Sequence, residues 1–103
     1  MPQSLTQRLA RRLAAPVDAA ARSRARLHLL DWLGCVAGAR ASRAAWLGGD
    51  LAPDLAALLG NVLEMDDIHR ASILHPGPVV WPVLRIADGS MAEMLDAAVR
   101  GYE

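Results

Sequence analysis

The sequence predicts an all-α fold, a small helical bundle made by a single domain over residues 1–103. Apolar residues recur every three or four positions in most segments, which is the spacing of amphipathic helices. Two capping-box patterns mark helix starts. The one segment that could form a buried strand has no partner strand elsewhere in the chain. The 53% hydrophobic and 21% charged residues fit an ordinary globular domain.

The N-terminal half predicts two helices. Ser4 and Gln7 have the spacing of a capping box. A leucine stripe with a period of four follows: Leu5, Leu9 and Leu13. Pro16 interrupts this pattern, and Asp18 is the predicted N-cap of a longer helix that runs to about Gly38.

The C-terminal half predicts one short piece and three further helices. Residues 43–47 are predicted to form a short helical or irregular piece that ends at glycines 48 and 49, and the next helix is predicted to start near Pro53. Its predicted apolar stripe comprises Leu55, Leu58, Leu59, Val62 and Leu63. Two prolines and a glycine at 76–78 argue against a regular helix there, so the helix predicted within 79–87 should open at Pro82. Ser90 and Glu93 form the capping box of the last helix.

The formal net charge of zero conceals an asymmetry. Residues 1–43 carry eight arginines and two acids, whereas residues 44–103 carry three arginines and nine acids. The arginines at 22, 24 and 26 are expected to form a solvated helix face, so we expect no nucleic-acid partner. No apolar run approaches the roughly 18–20 residues of a membrane span, so we expect no membrane partner either.

Size and cysteine content restrict the function further. The single cysteine, Cys35, cannot form an internal disulfide and is expected to be a buried thiol in a reducing, cytoplasmic compartment. A chain of this length hides roughly 60–65% of its unfolded surface, which leaves little apolar area to enclose an active site. The apolar stripes exceed what one such bundle buries, so we expect a homo-oligomer or a hetero-oligomer.

One segment concentrates the ionisable side chains. It contains Glu64, Asp66, Asp67, His69 and His75. Carboxylates and imidazoles at the end of an apolar helix could transfer protons. Asp66, His69 and His75 could instead bind a divalent metal. A purely structural alternative pairs Asp67 with Arg70 and lets His75 cap a turn. Spacing alone leaves all three open. His28, within the long helix, is expected to be a hydrogen-bonded packing histidine rather than a catalytic one.

Three blocks of this sequence resemble the MmgE/PrpD family. Residues 63–69 read LEMDDIH and are followed by His75-Pro76-Gly77, which is similar to the family's D-F-D-D-T-H…H-P-S signature. Residues 30–35 read LDWLGC and resemble its L-L-D-T-L-G-C helix, while residues 98–103 read AVRGYE and resemble its A-x-x-x-G-Y-E segment. The blocks occur in the family's order and span nearly the whole chain, which corresponds to the N-terminal helical part of family members.

The resemblance implies a lyase or isomerase of the kind represented by 2-methylcitrate dehydratase and cis-aconitate decarboxylase. These enzymes use no organic cofactor and no metal is implied here. They remove an acidic proton next to a carboxylate of a small di- or tricarboxylate. On the matching positions, the resemblance makes His75 an acid/base group or substrate contact, Asp67 the group that orients it and His69 a pocket-lining residue. Glu64 and Asp66 would contribute to substrate binding.

The match to the signature is incomplete. Glu64 stands in place of an aspartate, Ile68 in place of a threonine and Gly77 in place of a serine. Further histidine and lysine residues, and an α+β lid, belong to later parts of family members. We therefore expect this chain to be a fragment or subunit that is inactive alone and is completed by a second chain, or else a non-catalytic helical oligomerisation module.

Overall fold

Five α-helices make up the computed structural model, which describes residues 1–42 and 53–103. They are α1 (Leu5–Ala14), α2 (Ala19–Ala39), α3 (Pro53–Asn61), α4 (Pro76–Ile86) and α5 (Met91–Tyr102). Within these residues no β-strand forms, and the single β-bridge joins His69 to Leu74. The predicted all-α bundle is confirmed. The piece predicted at 43–47 and its glycine end lie outside the described residues.

The predicted helix starts at Ser4, Asp18 and Ser90 are confirmed by their cap hydrogen bonds. Ser4 and Ser90 each form a complete capping box, with Gln7 and Glu93 respectively. The Asp18 carboxylate accepts a 2.7 Å hydrogen bond from the backbone N–H of Ala21. A cap of this kind contributes about 1 kcal/mol, because it satisfies a backbone donor that the helix itself leaves unpaired.

Helix α4 begins earlier than the sequence predicts. Pro76 is its first residue and His75 its N-cap, so the prolines at 76 and 78 lie in the first turn rather than excluding a helix. Proline is tolerated there because the backbone N–H groups of a first turn have no partner within the helix. Pro82, expected to open the helix, lies inside it and is buried.

Helix α3 ends at Asn61, which divides its predicted apolar stripe. Leu59 is buried in the core, whereas Leu58, Val62 and Leu63 are exposed. The side chain of Leu55 lies outside the described residues. Because α3 ends at Asn61, the acidic segment lies in the connection between α3 and α4.

The core forms where α2 packs against α3, α4 and α5. Its largest buried side chains include Trp32 of α2, Leu59 of α3, Trp81 of α4 and Leu95 of α5. Gly60 is required at the α2–α3 contact, because a Cβ atom at that position would collide with the Trp32 indole ring. Each of these helices thus contributes to one shared apolar core.

Helix α1 lies apart from this core and buries none of its residues. Its C-terminal end is connected to α5 by polar contacts. The guanidinium group of Arg12 donates two 2.9 Å hydrogen bonds to the Glu103 carboxylate, and Arg100 donates to the backbone carbonyl of Ala15. Across the described ranges, no helix combines the length and apolarity that spanning a membrane would require.

Candidate functional site

Asp66 and His75 form the first of two carboxylate–imidazole pairs. The Asp66 side chain is 1% exposed, and its Oδ2 lies 2.8 Å from Nδ1 of His75. Asn61, the last residue of α3, places its Nδ2 at 3.2 and 3.3 Å from the two Asp66 oxygens. His75 itself is 33% exposed. A buried carboxylate therefore holds an imidazole that solvent can reach.

Asp67 forms the second pair, with a histidine that is distant in the sequence. Its Oδ2 lies 2.8 Å from Nδ1 of His28 and accepts a 2.5 Å hydrogen bond from the Tyr102 hydroxyl. Its Oδ1 accepts a 2.9 Å hydrogen bond from the backbone N–H of Gly77, in the first turn of α4. One carboxylate thus connects α2, α4 and α5.

Tyr102 has a fixed role in this network. Trp81 donates a 3.0 Å hydrogen bond from Nε1 to the Tyr102 oxygen, whose own proton goes to Asp67. Burial and the neighbouring negative charge raise the pKa of Tyr102 well above its usual range. Tyr102 therefore stays protonated and serves as a donor to Asp67 rather than as an acid.

The chain between α3 and α4 makes two unusual turns to bring the two aspartates into these positions. Glu64 and Ile73 both adopt positive φ, at 52° and 56°. For a β-branched residue such as Ile73 this conformation is strained. It occurs in a tight loop closed by two backbone hydrogen bonds of 2.8 Å. The N–H of His69 donates to the carbonyl of Leu74, and the N–H of Ile73 donates to the carbonyl of His69. The strain permits the reversal that returns the chain to His75.

The five residues predicted for the site are not all brought together. Asp66, rather than Asp67, contacts His75, so the expected Asp67–His75 contact is wrong; Asp67 faces His28 instead. His69 is exposed, with Nδ1 2.8 Å from the Ser72 hydroxyl. Glu64 is exposed as well. Asp66 and His75 are therefore the two predicted residues that pair directly with each other.

Three residues of the site were not singled out from the sequence: His28, Asn61 and Tyr102. His28 is hydrogen-bonded and packs beside Tyr102, as predicted, but its ring is 37% exposed and its partner is the Asp67 carboxylate. Tyr102 belongs to the C-terminal block of the family resemblance, which was the available signal for it. The partner of His28 is Asp67, 39 residues away, and the partner of Asn61 is Asp66, five residues away. Nothing in the local sequence around either residue identifies its partner.

The metal hypothesis through Asp66, His69 and His75 gains no geometric support. Within the part of the chain that the structure describes, no three His, Cys, Asp or Glu side chains are grouped to hold a metal ion. Cys35 is buried, and burial together with the negative charges of Asp31, Asp66 and Asp67 raises the pKa of its thiol. Its thiolate form is therefore disfavoured, which argues against a nucleophilic cysteine.

The geometry suits proton transfer by an oriented imidazole. An ionised carboxylate accepts hydrogen bonds and does not donate them, so the Asp66 and Asp67 contacts favour the tautomer in which Nδ1 carries the proton. Nε2 of each ring is then the basic nitrogen. This is the arrangement in which a carboxylate fixes the tautomer of a general base and stabilises the imidazolium that forms.

Comparisons with known proteins provide no family assignment. No family model matches the chain, and neither a curated protein nor a solved structure matches it. The MmgE/PrpD family therefore remains a resemblance carried by three blocks of the sequence.

Proposed function

We propose that this chain supplies the acid/base part of a cofactor-independent lyase or isomerase of the MmgE/PrpD type. The substrate class is small di- and tricarboxylates of the 2-methylcitrate or cis-aconitate kind. One observation supports the proposal above others: the buried Asp66 carboxylate orients the accessible His75 imidazole. This pair lies within the segment that resembles the family signature.

In the proposed reaction, Nε2 of His75 accepts a proton from the carbon next to a substrate carboxylate. The resulting imidazolium is stabilised by ionised Asp66, which pairs with it at Nδ1. In a dehydratase, the electron pair left on carbon forms a double bond to the neighbouring carbon and expels hydroxide from it. In a decarboxylase the C–C bond to the carboxylate breaks instead, carbon dioxide departs, and the electron pair left on carbon takes a proton from the imidazolium form of His75. In an isomerase the carbon instead takes a proton back on its other face. General acid/base catalysis of this kind contributes about 10²–10⁴-fold in rate.

The remaining parts of the site are assigned to a second chain or further polypeptide in this proposal. His75 is one-third exposed, so water reaches the base. Removal of a carbon-bound proton requires a protected site and cationic groups that stabilise the developing negative charge. A partner that covers His75 would supply both, and the buried Cys35 thiol is compatible with a cytoplasmic location.

Deuterium exchange provides a direct test. The chain is incubated in D₂O with 2-methylcitrate or cis-aconitate, alone and together with the polypeptide encoded beside it. NMR then detects carbon-bound deuterium, dehydration or decarboxylation. We expect activity in the completed complex and a loss of at least about 100-fold in His75→Ala. Full activity in His75→Ala would refute the assigned role.

A matched pair of aspartate variants separates catalysis from general charge effects. Asp66→Asn removes the carboxylate that orients His75 and should reduce exchange by at least tenfold. Asp88→Asn removes the same charge from an exposed position after α4 and should leave exchange within about twofold. Equal rates in the two variants would contradict a role for Asp66.

A second candidate function is a non-catalytic oligomerisation module. It is favoured by the exposed apolar side chains beside a groove of about 480 Å³ between α2 and the start of the acidic segment. Those exposed residues are Leu27, Leu30, Leu63 and Met65. A second copy of the chain would cover them. Sedimentation that gives a dimer, with no thermal shift in citrate or aconitate, supports this candidate; a monomer argues against it.

A further inference from the structure

A separate cavity of about 200 Å³ opens between α2 and α5, around His28. Its lining from α2 consists of Ala21, Arg24, Ala25 and His28, and its lining from the C-terminal end consists of Val99, Tyr102 and Glu103. For scale, an engineered apolar cavity of about 150 Å³ accommodates benzene. The cavity therefore has room for a small organic molecule. Neither Asp66 nor His75 lines it.

The shape of the cavity follows from the residues of α2. Ala21 and Ala25 are one turn apart and, having only methyl side chains, leave space where longer residues would fill the α2–α5 groove. Part of the wall is aromatic, because the rings of His28, on α2, and Tyr102, on α5, lie 5.0 Å apart at 55°. Val99 extends the apolar lining. An apolar body, and above all a flat ring, is the chemistry that these walls suit.

The network at Asp67 holds this wall rigid. Asp67 engages Nδ1 of His28 and the hydroxyl of Tyr102 at the same oxygen, and Gly77 anchors the other oxygen. Both rings are thereby fixed before any ligand arrives, which reduces the entropy cost of binding. Nε2 of His28 is left as the polar atom of the ring.

The charges at the cavity favour an anion. Arg24 lies one turn before His28 on the same face of α2, and no carboxylate of the described residues forms a salt bridge with it. Glu103, the acidic residue of the lining, is paired with Arg12 through two hydrogen bonds. Its negative charge is therefore largely compensated, whereas the Arg24 guanidinium is available for a carboxylate.

We propose that the cavity between α2 and α5 is a second binding site, for small monocarboxylates with an apolar body such as an aromatic ring. The ring lies over Ala21 and Ala25 against His28 and Tyr102. The carboxylate meets Arg24 at the cavity mouth. A tricarboxylate does not suit this site, because its other charged groups would face the alanine and valine walls without partners. The site is distinct from the one that contains His75.

NMR titration of the full chain with benzoate tests this site. We expect saturable shifts of the Ala21 and Val99 methyl signals and of the His28 ring, with a Kd in the millimolar range. Acetate has the charge without the ring, and benzamide has the ring without the charge. We expect no saturation with acetate and at least fivefold weaker binding of benzamide. Benzamide that binds as tightly as benzoate would overturn the anion assignment.

Two pairs of variants locate the ligand. Ala21→Leu fills the cavity and should weaken benzoate binding at least tenfold, while Ala20→Leu adds the same bulk on the exposed face and should not. Arg24→Gln should weaken binding at least threefold, whereas the control Arg26→Gln, at a position that does not line the cavity, should not. Benzoate binding that is unchanged in both Ala21→Leu and Arg24→Gln refutes the site.

The benzoate titration gives a result that does not depend on the proposed acid/base function of His75. Benzoate is followed at Ala21 and Val99, whereas tricarboxylate turnover is followed on the substrate and depends on His75. Loss of turnover in His75→Ala with retained benzoate binding supports both assignments. Turnover without any benzoate binding supports the lyase proposal and refutes this second site.

Discussion

The two carboxylate–imidazole pairs begin from consecutive residues and differ in almost every other respect. Asp66 is buried and its partners, Asn61 and His75, are near in sequence. Asp67 reaches His28 and Tyr102, which are 39 and 35 residues away. The first pair is local and presents an accessible base. The second joins three helices.

This difference predicts that the two aspartates contribute unequally to the stability of the fold. Asp67 satisfies donors from α2, α4 and α5, so its loss affects how these helices pack. Asp66 is bound by residues at the end of α3 and the start of α4, so its loss changes chiefly the orientation of one imidazole. Adjacent acidic residues with the same side chain therefore have different roles, because their side chains meet different parts of the fold.

The largest expected effect is that of Asp67→Ala. It leaves Tyr102, His28 and the Gly77 N–H without their acceptor, and hydrogen bonds to charged groups contribute about 1.5–3 kcal/mol each. We expect the free energy of unfolding to fall by about 3–4 kcal/mol, measured by urea denaturation. Asp88→Ala, in the exposed turn, should change it by less than about 0.5 kcal/mol. Similar losses in both variants would contradict the central role of Asp67.

Gly77→Ala tests the same network from the backbone side. A Cβ atom at Gly77 would lie 2.7 Å from Oδ1 of Asp67, so the carboxylate would have to move. We expect a loss of about 1–3 kcal/mol in unfolding free energy. Gly34→Ala is the matched control, because its Cβ meets nothing within 4 Å and lies within α2. It should stabilise the protein by about 0.5–1 kcal/mol. If Gly34→Ala also destabilises the protein, the effect of Gly77→Ala cannot be attributed to displacement of the Asp67 carboxylate.

Asp66→Asn should have a smaller effect on stability than Asp67→Ala. Asparagine keeps the shape and removes a buried charge, so the gain in desolvation offsets part of the lost pairing. We expect the free energy of unfolding to change by less than about 1.5 kcal/mol. The ¹⁵N chemical shifts of His75 should at the same time show less of the Nδ1–H tautomer. A large loss of stability without a tautomer change would show that Asp66 stabilises the fold and does not orient His75.

The smallest effect is expected at the part-buried ion pair of Arg22 and Asp96. Hydrogen bonding from Arg22 holds the pKa of Asp96 below its usual value of 3.8. A depressed folded-state pKa stabilises the protein above the unfolded-state value, and this contribution is lost as the pH falls through the folded-state value. Arg22→Gln should therefore reduce the change in urea midpoint between pH 6 and pH 3. The exposed control Arg26→Gln should retain the wild-type change.

Much of the fold could be predicted from local sequence. Capping side chains at Ser4, Asp18 and Ser90 identify helix starts because their hydrogen bonds reach only three residues ahead. The start of α4 could not be predicted in the same way. Two prolines argue against the interior of a helix. A helix tolerates them in its first turn, and the sequence does not show that the first turn of α4 begins at Pro76.

The sequence by itself determined the all-helical class, most helix starts and the acidic segment that contains Asp66 and His75. Only the tertiary structure decided which carboxylate serves which imidazole. Helical periodicity and caps are interactions over three or four residues, so they are visible in the sequence. The Asp67–His28 contact spans 39 residues and depends on how α2 packs against α4 and α5. That packing creates both the second pair and the cavity beside it.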